Sequence, residues 1–193
     1  MTSALVLRRH ALALLAAACA GPAWPQTHGK LGAIEPRRIA PALTLRLHDG
    51  RSEGLTTLLQ GHITAVQLMF TGCSSTCPIQ GAIFAALQGR MTKLSPKAQL
   101  LSLSIDPLGD SPAALAAWRQ RFGAVTAWLA AAPPVQHADV MLNFFSARAQ
   151  SPIERHTAQV YLFDAQGRFA FTCAEMAGAA DIAAAMASLA RGV

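Results

Sequence analysis

Phe70-Thr71-Gly72-Cys73-Ser74-Ser75-Thr76-Cys77-Pro78 joins two segments of different periodicity. Ile63 to Phe70, before it, is a mostly apolar run that reads as a buried strand. Ile79 to Leu94, after it, is alanine-rich with apolar residues at Ile83, Leu87 and Met91, the spacing of a helix. The cysteine pair therefore stands on a strand-to-helix turn. Pro78 suits the first helical position, where its missing N–H is no loss, which puts Cys77 near the N-cap and Cys73 in the preceding loop. The helix dipole and its unpaired N–H groups favour thiolate over thiol there. The expectation is a pair of partly exposed, reactive sulfurs.

Upstream, Leu43-Thr-Leu-Arg-Leu-His48 alternates and Asp49-Gly50 is a turn, so a hairpin or strand-turn unit precedes the central strand. Downstream, Ala98 to Ile105 is a second apolar strand ending in Asp106-Pro107. Ser111 and Pro112 give an N-cap and a first helical residue for a helix through Leu115 and Trp118 to Phe122-Gly123. Trp128 to Pro134 is ambiguous, and Ala138 to Phe145 reads as a short helix. Ala158 to Phe163 and Arg168 to Cys173 flank the turn Asp164-Ala-Gln-Gly167 as a hairpin, and Ala179 to Leu189 closes the chain as a helix. A strand-helix-strand half followed by a hairpin and a terminal helix is the thioredoxin-like α/β arrangement, a mixed sheet with helices on both faces. That topology brings the cysteine turn against Arg155-His156-Thr157, the loop leading into the hairpin.

The 193 residues suffice for one domain. Residues 1–20, with Arg8-Arg9, an apolar run from Ala11 and Ala18-Cys19-Ala20, have the pattern of a secretory signal, and the run is too short to span a bilayer. The paired arginines loosely fit a twin-arginine signal, and Cys19 offers a site for a lipid anchor. Residues 21–40 read as a flexible lead-in to a domain over residues 41–193. Without the signal the formal charge falls from +6 to +4, spread thinly and without basic runs, which gives no support to nucleic-acid binding. In an exported chain a close cysteine pair is a disulfide, a dithiol kept reduced, or a metal site.

The spacing bears on that choice. Cys73 and Cys77 stand four apart, where the dithiol turn of ordinary thioredoxins has three, and the wider turn can present both sulfurs to one metal ion. A purely structural disulfide here would close too small a loop to gain much. His156 stands near the position where thioredoxin-like oxidoreductases carry a cis-proline, and an imidazole can ligate where a proline cannot. Two thiolates and a neutral imidazole make a soft three-coordinate set that suits Cu(I) and can hold Cu(II). Asp106 either orients a ligand or begins the Asp-Pro turn. Cys173, on a strand with Phe169 and Phe171 on its face, reads as a buried inert thiol, with a resolving cysteine as the alternative.

Cys73-Ser-Ser-Thr-Cys77-Pro78, Ser104-Ile-Asp106-Pro107-Leu-Gly-Asp110-Ser-Pro112 and His156-Thr-Ala-Gln-Val-Tyr-Leu-Phe-Asp164 resemble the three motifs of the Sco/SenC (PrrC) family, in order and separation, from about Pro41 onward. The resemblance implies a thioredoxin-like domain facing the periplasm or intermembrane space, with copper held by Cys73, Cys77 and His156. It implies help in assembling the dinuclear copper site of cytochrome c oxidase, or service to another copper client. A copper donor and a thiol reductant would be further partners, and membrane association would come through an uncleaved or lipidated N-terminus. Some members are credited with thiol-disulfide exchange, which would make Cys73 and Cys77 a redox-active pair. This chain departs from the usual motif in having Ser74-Ser75-Thr76 between the cysteines and Arg155 before the histidine.

Overall fold

The computed structural model describes residues 32–145 and 158–192. The signal read over residues 1–20, the lead-in up to residue 31 and residues 146–157, with His156, lie outside the described residues. The chain runs β1 (Gly32–Ile39), β2 (Thr44–Leu47), β3 (Ser52–Gly54), α1 (Leu55–Leu59), β4 (Ile63–Met69), α2 (Thr76–Leu94) and β5 (Ala98–Ser104). It continues as α3 (Pro112–Arg121), β6 (Trp128–Ala132), α4 (Val135–Phe145), β7 (Val160–Phe163), β8 (Arg168–Thr172) and α5 (Ala179–Ala190). The strands form one sheet in the order β1-β8-β7-β4-β5-β6-β2-β3. β4, β5 and β6 are parallel neighbours, and every other pairing is antiparallel.

All seven residues of β4 and of β5 are buried, the mark of central strands covered on both faces. Successive side chains alternate between two cores. Val66, Leu68, Leu101, Leu103, Tyr161 and Phe163 pack with Leu55 and Leu59 of α1 and Met141, Leu142 and Phe145 of α4. Ile63, Ala65, Leu100, Trp128, Val160 and Leu162 pack on the other face with Phe84 and Leu87 of α2 and Ile182 and Met186 of α5. This is the mixed sheet with helices on both faces that the sequence predicts. Gly81 lets α2 approach closely, since a Cβ there would lie 2.5 Å from the Phe122 ring.

Two expectations need correction, and one stretch that its sequence left open is settled. Residues 32–39, read as flexible lead-in, form β1, paired antiparallel to β8 from Gly32↔Thr172 to Ile39↔Arg168. Their apolar alternation is weak because the strand is held by charge: Arg37 Nη1 donates to Asp164 at 3.0 Å, and the Arg38 guanidinium lies over the Phe144 and Phe169 rings. Pro36 is accommodated because the register shifts between Ala33 and Arg38, where a residue without an N–H costs no ladder bond. Trp128–Ala132, ambiguous in sequence, is a strand between β5 and β2, where neighbours outweigh the low strand preference of alanine. Phe169 and Cys173 face opposite cores because the register also shifts between β7 and β8, which breaks the alternation.

Candidate metal centre

β4 delivers the chain to the C-terminal edge of the parallel strands, where Ile105 N–H donates to Met69 O at 2.8 Å. The chain turns there, with Cys73 N–H donating to Phe70 O at 3.2 Å. Ser75 is the N-cap of α2 and makes no side-chain cap hydrogen bond, so Cys77 is the second helical residue and Pro78 the third. The sequence expectation placed this start two residues later. Proline is tolerated anywhere in a first turn because those N–H groups have no intrahelical partner, so Pro78 leaves the start open by about two residues. The orphan N–H of Cys77 is satisfied by Cys73 Sγ, 3.5 Å away, so the thiol does the capping that Ser75 does not.

Neither sulfur is partly exposed. Cys73 retains 7% of its surface and Cys77 none, packed with Met69, Leu115, Trp118, Ala130 and Ala132. The expectation of exposure fails because Leu115 and Trp118 of α3 pack against the turn, which strand and helix periodicity do not reveal. Both thiols are free, and their environments pull them apart. Burial acts to raise the Cys73 pKa, but hydrogen bonds from the Cys77 thiol and N–H and from Ser75 outweigh it, bringing Cys73 down to about 7. Burial, and then its hydrogen bond to Cys73, push Cys77 up to about 12, with the charges of Cys73 and Asp110 adding to the rise. The ionised Cys73 is thus ready as nucleophile or metal ligand, and Cys77 ionises only when something replaces its proton.

The loop after β5 borders the pair. Asp106 takes the turn role: its Oδ1 accepts from Gly109 N–H at 2.9 Å, and a Cβ at Gly109 would collide with its carboxylate. Asp110 is 5% exposed and accepts from Thr71 N–H at 3.1 Å to both oxygens, Thr71 Oγ1 at 2.5 Å and Ser104 Oγ at 2.6 Å. The sequence placed Asp110 before a helix and within the second motif, and nothing in its spacing pointed to Thr71. Ser111 caps α3 through Ala114 N–H at 3.2 Å, with Pro112 first in the helix, as expected. Cys173 is buried, as its sequence position suggests, and burial, then the Asp181 charge, raise its pKa to about 12.

The structure thus brings Cys73 and Cys77 together and keeps Cys173 in the second core, while His156 lies outside the described residues. Among the described residues, no group of three or more His, Cys, Asp or Glu side chains is arranged to hold a metal ion. No helix among them is long and apolar enough to cross a membrane.

Residues 33–191 match the family model SCO1/SenC. The fold is similar to that of a SCO1/SenC family lipoprotein from Bacillus anthracis, with 24% identity over 82% of this chain and 99% of that one and a TM-score of 0.67. It is similar to Arabidopsis thaliana ScoI with copper bound, at 15% identity over 80% of this chain and 99% of that one, TM-score 0.67. It is similar also to yeast Sco1 with copper bound, at 17% identity over 80% of this chain and 94% of that one, again with a TM-score of 0.67. No curated protein matches the sequence.

Proposed function

The chain belongs to the SCO1/SenC family, and from that premise we propose that it is an exported copper chaperone that takes copper on Cys73 and Cys77 and passes it to a copper-site client. The observation that carries this reading is the pair of free thiols at the start of α2, one near neutral pKa and both shielded from solvent. Such a pair suits a soft, monovalent metal, and burial protects the thiolate from oxidation. His156 is the third ligand in this reading, supplied by the loop that leads into β7. Relatives of the same fold are described with copper bound, which supports copper as the cargo.

Cys73 binds first because its thiolate is already well populated near pH 7; copper then displaces the proton of Cys77, so loading releases protons and is weaker in acid. Cytochrome c oxidase, whose assembly a structurally similar Sco protein is described as serving, is the favoured client. Exposed Leu108 and Ile79, at 83% and 53%, stand on the two segments that frame the dithiol and give a client apolar contact. The chain requires a copper donor, and a reductant to keep the pair as thiols. Incubating copper-loaded residues 21–193 with the reduced apo copper-site domain of an oxidase subunit tests the reading. Transfer of copper to that domain is expected, and retention of all copper by the donor would refute it.

The inequality of the thiols favours a second reading, thiol-disulfide exchange. Cys73 thiolate attacks a client disulfide, forming a mixed disulfide and releasing the client's thiolate. Cys77 then gives up its proton and displaces the client's second thiolate, leaving a Cys73–Cys77 disulfide for a separate dithiol reductant. This route has no need of His156. Exchange rates equal in wild type and His156→Ala, with no copper bound by either, would select it.

A further inference from the structure

We propose that Asp110 is the positioning residue of the cysteine pair: by holding Thr71 against the end of β5, it keeps Cys73 Sγ on the Cys77 N–H. The turn from Phe70 to Ser75 is short and contains Gly72, and its N-cap serine makes no cap hydrogen bond to α2, its hydroxyl lying instead 3.8 Å from Cys73 Sγ. Asp110 takes hold of Thr71 twice, through the N–H at 3.1 Å and the hydroxyl at 2.5 Å, which fixes both the backbone and the side chain two residues before Cys73. Asp110 is itself fixed. Its N–H donates to Asp106 O at 3.0 Å, Ser104 Oγ donates to it at 2.6 Å, and it is nearly buried. The Cys73 sulfur, 3.5 Å from the Cys77 N–H, is thus placed by a chain of contacts running from β5 through Asp110 and Thr71.

A buried carboxylate is costly unless its oxygens are matched by donors, and among the described residues this one is met by two hydroxyls and an amide. The hold on the loop is what the arrangement achieves in return. Small displacements matter here because a hydrogen bond to sulfur that lengthens by several tenths of an ångström ceases to favour the thiolate. The proposal rests on Cys73 and Cys77 being the functional pair and holds whether or not copper is the cargo.

The test follows thiolate absorbance against pH in reduced, metal-free residues 21–193, with an unfolding midpoint recorded for each variant. In wild type the first thiolate is expected to form with a midpoint near 7. Asp110→Leu is expected to move it up by at least about one pH unit, toward an ordinary thiol. Thr71→Val, which removes only the hydroxyl bond, is expected to move it in the same direction by less, and decides the matter alone if Asp110→Leu does not fold. Asp110→Asn keeps an acceptor for the Thr71 N–H, and its midpoint is expected to stay within a few tenths of a unit of wild type. Unchanged midpoints in both Asp110→Leu and Thr71→Val would overturn the proposal. So would a shift in Asp110→Asn as large as that in Asp110→Leu, since the effect would then belong to the charge. A wild type that shows the expected midpoints but binds no copper would overturn the copper reading and leave this one standing.

Discussion

The two strand-end edges of the sheet, beyond β5 at one end and β7 at the other, each bury an aspartate, and the partners differ. At the edge away from the cysteines, Asp164 accepts from Arg37 Nη1 at 3.0 Å, Arg168 Nε at 2.9 Å and the N–H groups of Gln166 and Arg168 at 3.0 Å. It closes the β7–β8 turn and ties β1 to it. Burial acts to raise its pKa, but the Arg168 and Arg37 hydrogen bonds more than reverse this and hold the carboxyl below the usual 3.8. At the other edge the donors to Asp110 among the described residues are neutral, and its charge adds to the rise of the Cys77 pKa. Asp164 is matched by guanidiniums, as a carboxylate that serves stability is; Asp110, among the described residues, is met by hydroxyls and an amide beside the cysteine pair, as the proposed placement role requires. Substitutions at the two edges should therefore separate folding from chemistry.

The largest effects belong to the cysteine edge. Cys73→Ser or Cys77→Ser should each lower copper affinity by more than about a hundredfold, because a hydroxyl is a poor ligand for a soft ion. Cys173→Ala, in the second core, should leave that affinity unchanged in the same titration. Next comes the far edge. Asp164→Ala removes two ion pairs and two turn hydrogen bonds, and urea unfolding should show a loss of about 2–3 kcal/mol, discounted because Arg37 and Arg168 keep 24% and 41% of their side chains in solvent. Copper affinity should not change with it. If Asp164→Ala weakens copper binding as much as a cysteine substitution does, the two edges are not separable.

Acid sharpens the contrast. Because the folded pKa of Asp164 is depressed, the unfolded chain takes up the proton first as pH falls. The stabilisation from Asp164 is whole above about pH 4 and is lost as pH falls through its folded value. Asp164→Asn should flatten the stability profile in that range and leave it unaltered near pH 7 apart from an offset. The smallest effect expected is that of Cys173→Ala on stability, about 1 kcal/mol for the cavity left by a buried sulfur.

Sequence pattern carried the parts of the molecule that repeat. The apolar runs at Ile63 to Phe70 and Ala98 to Ile105, the Ser111-Pro112 helix start and the Asp164 hairpin turn all stand where local signals put them. β1 was not legible because its bonds are to a strand well over a hundred residues away and its side chains are held by Asp164, Phe144 and Phe169 rather than by an apolar face. In the site, the pairing of Cys73 with Cys77 was legible from spacing. Their burial was not, since it depends on Leu115 and Trp118, nor was the grip of Asp110 on Thr71, which spans 39 positions. Contacts of that reach leave no periodicity in the chain.

The central claim is that Cys73, Cys77 and His156 hold one copper ion, and anaerobic copper titration of reduced residues 21–193, wild type beside His156→Ala, tests it most directly. One equivalent bound by wild type with thiolate-to-copper absorption, and Cu(II) binding lost in His156→Ala, is the result predicted. No copper bound by wild type despite two free thiols, or equal Cu(II) affinity in the two proteins, would contradict it.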